Sequence, residues 1–327
     1  MASPDSSALP SHAAMQRAAE WFALLRSGEA TEQDRAAWQA WLAQTSDHRQ
    51  AWAYAEAISK RFAPMQATDS RRAAADALTQ VQQARSGRRR LVRGILGLAG
   101  TGILGWASWR HSPLPEMALA WSADYHTATD EVRDIVLEDG TRIWLNTASA
   151  LNTDYQPALR RVQLLAGEML IDTGRDARPF VADTRHGRLR ALGTRFTVRL
   201  DGDTTLLAVY HGAVEVRTVQ GSVRVLNSGS QVRFSAGQIF TPAAADPARE
   251  AWTGGVLLAE DIPLKELVAE LGRYHRGHLG VAPEVAELRV LGGYPLRDPE
   301  RALAMLETVL PVRVQRTLPW WTTIEAR

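Results

Sequence analysis

Cysteine is absent from the 327 residues. That excludes disulfide staples, thiolate metal sites and a cysteine nucleophile. Histidine is sparse and scattered, eight in all. The closest pair, His275 and His278, has no third ligand nearby in sequence and makes a poor metal site. No Gly-x-Ser-x-Gly elbow and no phosphate-binding loop occur, so hydrolytic and nucleotide-driven chemistry lack their usual carriers. An excess of one charge is missing too: 38 Lys+Arg stand against 36 Asp+Glu. These absences point to a chain that is no enzyme, needs no cofactor or metal, and makes no direct contact with nucleic acid.

What charge there is lies in one place. Residues 1–87 hold nine basic and nine acidic side chains, and residues 94–327 hold 25 basic and 27 acidic. The surplus is the cluster Arg88, Arg89, Arg90 and Arg93. It directly precedes the one long apolar run, Leu91 to Trp109. Nineteen residues at ~1.5 Å each span about 28 Å, close to the ~30 Å hydrocarbon core. Arg93 sits near one end, where it can snorkel to the headgroups. Trp106 and Trp109 sit at the other, as interfacial aromatics do. The positive-inside rule then places residues 1–90 in the cytoplasm and 110–327 outside. The run from Arg88 to Arg93 also matches a twin-arginine export pattern, although ordinary anchors carry similar clusters. Ala118-Leu119-Ala120 resembles a signal-peptidase site, but a removable signal would not follow a folded domain. A single uncleaved span is expected. Its small residues Gly97, Thr101 and Gly105 suit helix packing, and its glycines suit local opening by an intramembrane protease.

Length and a 45% hydrophobic composition leave room for several domains. Ahead of the span, apolar residues recur at helical spacing: Trp21, Phe22 and Leu25, then Trp38, Trp41 and Leu42, then Trp52 and Ile58. Thr31 offers one helix cap, and Ser46 or Asp47 another. A polar, alanine-rich fourth helix is expected from about Asp69 to Arg85. Beyond the span the period becomes two. Short strands alternate with Gly turns from Glu131 to Phe240, such as Val132–Leu137 and Thr141–Asn146 about Glu138-Asp139-Gly140. That pattern predicts a β-sandwich or a stacked β-roll. After a linker at Ala243–Glu250, strands mix with amphipathic helices at Pro263–Tyr274 and Pro299–Leu310. The expected architecture is therefore a multidomain membrane protein. It has a small all-α cytoplasmic domain (1–87), one transmembrane helix with a basic flank (88–110), an all-β domain (111–245) and a C-terminal α+β module (250–327).

Four runs then point to one family. Val136-Leu137-Glu138-Asp139-Gly140-Thr141-Arg142-Ile143-Trp144-Leu145-Asn146-Thr147-Ala148-Ser149 resembles the FecR pattern "vLpDGSxvxLNaxS". The run from Arg161 to Glu168 resembles "RxVxLxxGE", Arg178-Pro179-Phe180-Val181 resembles "RPFxV", and Leu192 to Val198 resembles "LGTxFxV". Met169-Leu170-Ile171 departs from the aromatic pair usual there. The first segment is similar to the family's cytoplasmic domain through Ala19-Glu20-Trp21, Trp38-Gln39-Ala40-Trp41-Leu42 and His48-Arg49-Gln50-Ala51-Trp52. The last resembles, less specifically, the short N-terminal module of secretins and TonB-dependent receptors.

The resemblance implies a transmembrane anti-sigma factor of the bacterial inner membrane, single-pass, with its N-terminus in the cytoplasm and its C-terminus in the periplasm. It would bind an extracytoplasmic-function sigma factor and receive a signal from the signalling domain of a TonB-dependent siderophore receptor. Envelope and intramembrane proteases would then release the cytoplasmic domain. The expected sigma-binding residues are Trp21, Leu25, Trp38, Trp41 and Trp52, since tryptophan is enriched at binding hot spots. The expected receptor-binding residues are Leu267, Leu271 and Leu303. Both sets also suit plain core packing. The last module alone would equally fit an envelope-assembly or secretin-associated protein with no sigma partner.

Overall fold

The computed structural model describes residues 10–27, 30–60 and 123–327. The expected fourth helix and the whole 88–110 segment, with Arg88, Arg89, Arg90 and Arg93, lie outside them. No helix among the described residues is long and apolar enough to cross a membrane.

Three helices form the N-terminal part. α1 (His12–Ser27) buries Ala14, Met15, Ala18, Ala19, Trp21 and Phe22 along one stripe. α2 (Glu32–Gln44) starts with a capping box: Thr31 Oγ1 accepts from the Asp34 amide at 3.2 Å, and Asp34 accepts from the Thr31 amide at 2.9 Å. α3 covers residues 46–60. Its cap is Thr45, whose Oγ1 accepts from the His48 amide at 3.1 Å, not Ser46 or Asp47. Asp47 instead accepts from the amide and hydroxyl of Ser11, at 3.0 and 2.5 Å, tying the start of α3 to the start of α1. These hydrogen bonds hold the Asp47 carboxyl below the usual aspartate range.

The β region is a sandwich of two seven-stranded sheets. The first runs in the order β1 (Tyr125–His126), β4 (Ala150–Gln156), β5 (Leu159–Ala166), β7 (Phe180–Thr184), β8 (Gly187–Ala191), β11 (Ala213–Thr218), β12 (Val223–Asn227). The second runs β14 (Ala243–Ala244), β13 (Ser230–Phe234), β10 (Thr204–His211), β9 (Arg195–Asp201), β6 (Glu168–Asp172), β3 (Arg142–Leu145), β2 (Arg133–Val136). Every pairing is antiparallel except β5 with β7. Alternate side chains from both sheets fill one core, among them Ile143, Leu164, Phe180, Phe196, Val216 and Phe234.

The expected hairpins at 137–141, 184–187, 201–204 and 218–222 form as such. Two other Gly turns do something different. β5 and β6 flank Gly167 but do not pair: β5 joins β4 and β7, while β6 joins β3 and β9. Gly167 is thus a corner where the chain changes sheets. Gly212 is a second, between β10 and β11. Both have positive φ, +78° and +75°. A Cβ would lie 2.0 Å from Ser149 Oγ at Gly167, and 2.3 Å from the Gly193 carbonyl at Gly212. Backbone conformation and space both demand glycine here.

The segment read as a linker is ordered. After β14 a 3-10 helix spans Pro247–Gly254, capped by Asp246 and closed by Gly255, with Ala248 and Trp252 buried. Beyond it come β15 (Val256–Pro263), α4 (Leu264–Tyr274), β16 (His278–Val281), β17 (Arg289–Pro295), α5 (Pro299–Val309), β18 (Val312–Leu318) and β19 (Trp321–Ala326). β15 pairs with β17, and β16, β19 and β18 form a three-stranded sheet. By compactness the described residues divide into two units: those within 10–60, 262–290 and 303–327, and those within 123–261 and 291–302. The stretch read as one C-terminal module is thus shared between them.

Candidate partner-binding faces

The tryptophans of the helical segment fall into two groups. Trp21 and Trp41 belong to the core, with 7 and 9% of their surface exposed. Trp41 stacks on His48, ring centroids 4.6 Å apart and planes 12° apart, while His48 Nδ1 lies 2.8 Å from the Trp41 carbonyl. The Arg17 guanidinium caps Trp21 at 4.8 Å from its ring centroid. Trp38 and Trp52 are half-buried and lean on each other at 4.9 Å. Phe22 closes on Trp52 at 5.7 Å. Trp52 donates from Nε1 to Glu56 at 3.1 Å, whereas the Trp38 Nε1 is buried and makes no hydrogen bond. Leu25 is half-buried, and it is its neighbour Leu24 that packs on the cluster. The sequence-selected residues are thus divided: Trp38 and Trp52 share a partly open aromatic face, and Trp21 and Trp41 support it from below.

Sequence reasoning missed who else is on that face. Phe22 and Tyr54 belong to it, and so do Trp320 and Trp321 from the same compact unit. Trp320 meets Phe22 edge-on at 5.2 Å, and Trp321 meets Tyr54 at 6.1 Å. The adjacent tryptophan pair was visible in the sequence, but adjacency alone does not say what covers it. His278 lies against Trp321 with ring centroids 4.0 Å apart and planes tilted by 33°, and Tyr54 meets it at 5.7 Å. Burial, with the charges of His12 and His275 adding, pushes its imidazole down to about 4. His278 is therefore a packed aromatic, and no group of three or more His, Asp or Glu among the described residues is placed to hold a metal.

Leu267, Leu271 and Leu303 were expected to face a receptor. Their exposures are 0, 2 and 1%, so they fill interior positions and present no surface. Leu291, Val309 and Leu258, which are 76, 63 and 40% exposed, are the large apolar side chains that do reach solvent in that part of the chain.

In the sandwich the motif runs meet in two buried polar knots. In the first, Asn146 Nδ2 donates to Glu168 Oε2 at 2.8 Å, and Ser149 Oγ accepts from the Glu168 amide at 2.9 Å. Thr127 Oγ1 donates to the Asn146 carbonyl and accepts from the Ser149 amide. In the second, Arg160 and Asp139 form an ion pair at 2.5 Å, with side chains 5 and 0% exposed. Asp139 also accepts from Thr141 and Tyr155, and Arg160 donates to the carbonyls of Gly174 and Arg178. Burial alone would raise the Asp139 carboxyl, but the hydrogen bonds from Thr141, Arg160 and Tyr155 outweigh it and hold it low. Asp139 spends its oxygens on the fold, as its reading as turn chemistry implied.

Comparison with known proteins agrees with the resemblance. Residues 123–215 match the family model "FecR protein", and residues 16–58 match "Domain of unknown function (DUF4880)". No curated protein matches the chain. Two crystal structures of a candidate anti-sigma factor from Parabacteroides distasonis, at 2.50 and 1.65 Å resolution, are similar to it. Both are 22% identical and cover 62% of this chain and 98% of theirs, with TM-scores of 0.51 and 0.52. At that identity they speak for the fold. The FecR match falls within the β sandwich, and the DUF4880 match falls within the helical segment.

Proposed function

We propose that this chain is a FecR-family anti-sigma factor that crosses the inner membrane once through residues 91–109. The observation that carries the reading is the order of parts. A DUF4880 helical segment with a half-open aromatic face precedes an arginine-flanked apolar run, and a FecR sandwich follows it. Folded parts on both sides of a span, with no catalytic set, suit a relay of information and not a reaction. The helical segment holds an extracytoplasmic-function sigma factor through Trp38, Trp52 and their neighbours. The part beyond the span receives the signalling domain of a TonB-dependent siderophore receptor in the periplasm. Release follows regulated proteolysis in the envelope and within the membrane. Affinity capture of the full-length chain from solubilised membranes tests this: a sigma factor co-purifies, and its absence would favour an envelope-assembly role.

A second reading rests on Trp320 and Trp321. Their contact with Phe22 and Tyr54 needs the helical segment and the C-terminal strands in one compartment. There the C-terminal strands would mask the aromatic face from a sigma factor. A chain that crosses the bilayer once between these segments cannot make the contact, so the two readings exclude each other.

A further inference from the structure

The last strand of the first sheet carries apolar side chains outward. β12 ends the sheet, with β11 as its one neighbour. Leu226 turns into the core, so alternation puts Val223 and Val225 on the outer face. They are 48 and 51% exposed, and Val219, in the turn before them, is 67% exposed. The segment after β13 runs beside this edge. The Gln220 amide donates to the Ala236 carbonyl at 2.8 Å, and Arg224 Nη1 to the Phe240 carbonyl at 3.3 Å. Phe240 is 40% exposed. Four of the nine large apolar side chains that reach solvent among the described residues thus gather at one edge.

Arginines surround them. On the outer face, Arg217 and Glu215 of β11 stand opposite Val223 and Val225, with Arg188 and Arg190 of β8 beyond. Arg217 pairs with Glu215 at 3.2 Å, and Arg188 with Asp183 at 2.7 Å. Counting Arg224, the patch holds four arginines against two carboxylates. At the flanking turns, Arg185 with Asp203 and Arg233 with Asp201 add no net charge.

Exposed valines on an edge strand are a liability in water unless something meets them. The positive charge beside them selects the partner. A second copy would set this arginine cluster against its own like. A bilayer with anionic headgroups offers phosphates to the guanidiniums and an apolar layer beneath. Chain length permits the approach. Thirteen residues, 110–122, separate Trp109 from the described sandwich. At full extension they reach about 45 Å, whereas six strand spacings across the first sheet come to about 29 Å. The edge remote from β1 is therefore within reach of the lipid. An anchored patch also needs only modest affinity, because the anchor raises its local concentration.

We propose that the β12 edge docks on the surface of an anionic bilayer. Val219, Val223, Val225 and Phe240 enter the interface, and Arg217 and Arg224 meet lipid phosphates. The anchor is the span at 91–109, so this docking rests on the topology proposed above.

A chain without cysteine allows labelling at a single site. Full-length Val223→Cys and Val136→Cys, each carrying an environment-sensitive fluorophore, are placed in lipid nanodiscs containing nitroxide-bearing lipid. Val136 is 68% exposed on β2. It lies on the β1 side of the sandwich, where Tyr155 of β4 reaches Asp139. The anchor alone would therefore bring Val136 nearer the lipid than Val223. With phosphatidylglycerol in the disc, the probe at 223 shifts to the blue and is quenched about fivefold more than in phosphatidylcholine alone. The probe at 136 does not change. Arg217→Gln or Arg224→Gln, added to Val223→Cys, lowers the docking equilibrium about fivefold, and high salt weakens it further. Equal quenching at both sites, or none at 223, would overturn the proposal. So would a blue shift at 223 that needs no anionic lipid and grows with the number of chains per disc, which would assign the edge to a second copy. A chain that never inserts into the disc would sink the span and the docking together. An inserted chain with position 223 in water would sink the docking alone.

Discussion

Asp139 sits at the first turn of the sandwich and accepts from Thr141, Tyr155 and Arg160 with almost no contact with water. Removing the cation alone would strand a buried carboxylate. Arg160→Met is expected to cost ~3–5 kcal/mol, against much less when Asp139→Asn is made with it. Denaturant titration of the two variants checks this. The pH dependence follows from the same site. The folded-state pKa of Asp139 lies below its unfolded value, so its contribution is full above about 4 and is lost as pH falls through the folded value. Denaturation midpoints should hold steady from neutrality to about pH 4 and fall below it, with a shallower acid slope in Asp139→Asn. In the helical segment, Trp38→Ala should weaken sigma-factor binding more than tenfold, as hot-spot tryptophans do. Its helical circular dichroism should persist, because Trp38 is only half-buried. Loss of helicity in step with binding would show Trp38 to be core.

At the scale of elements, glycine separates what the sequence discloses from what it hides. Gly140 and Gly167 both read as turn glycines between strands. Gly140 closes a hairpin, and a Cβ there meets nothing within 4 Å. Gly167 carries the chain across the sandwich and touches Ser149. Strand periodicity fixes which residues face the core, but it is silent on whether the next strand pairs or crosses over. That depends on contacts such as Gly167 with Ser149, eighteen positions apart in sequence. Gly140→Ala is expected to cost about 1–2 kcal/mol for its positive φ alone, and Gly167→Ala clearly more, because overpacking adds ~1–3 kcal/mol. Thermal unfolding of the two variants ranks them. The 3-10 helix was hidden for a related reason. Its alanines and Pro247 read as linker, and Trp252 declares its burial only once a sheet face lies beneath it. The helices were legible because their apolar stripes are local. A leucine stripe marks an interior as readily as a docking surface, and Leu267, Leu271 and Leu303 are interior.

At the scale of the whole molecule, the motif runs that identify the FecR domain are those that build its polar knots. Their polar members were legible because Asp139, Asn146, Ser149 and Glu168 are each held by a buried hydrogen bond and Gly167 by a corner, while Phe180, Phe196 and Val198 fill the core. The aromatic face is different, since its openness depends on which side of a membrane Trp320 and Trp321 occupy. The decisive measurement is therefore topological. Compartment-sensitive reporters are fused after Lys60 and after Glu300 in the full-length chain and read in intact cells. The account expects the first in the cytoplasm and the second in the periplasm, with the aromatic face free for a sigma factor. Both reporters in one compartment would contradict it.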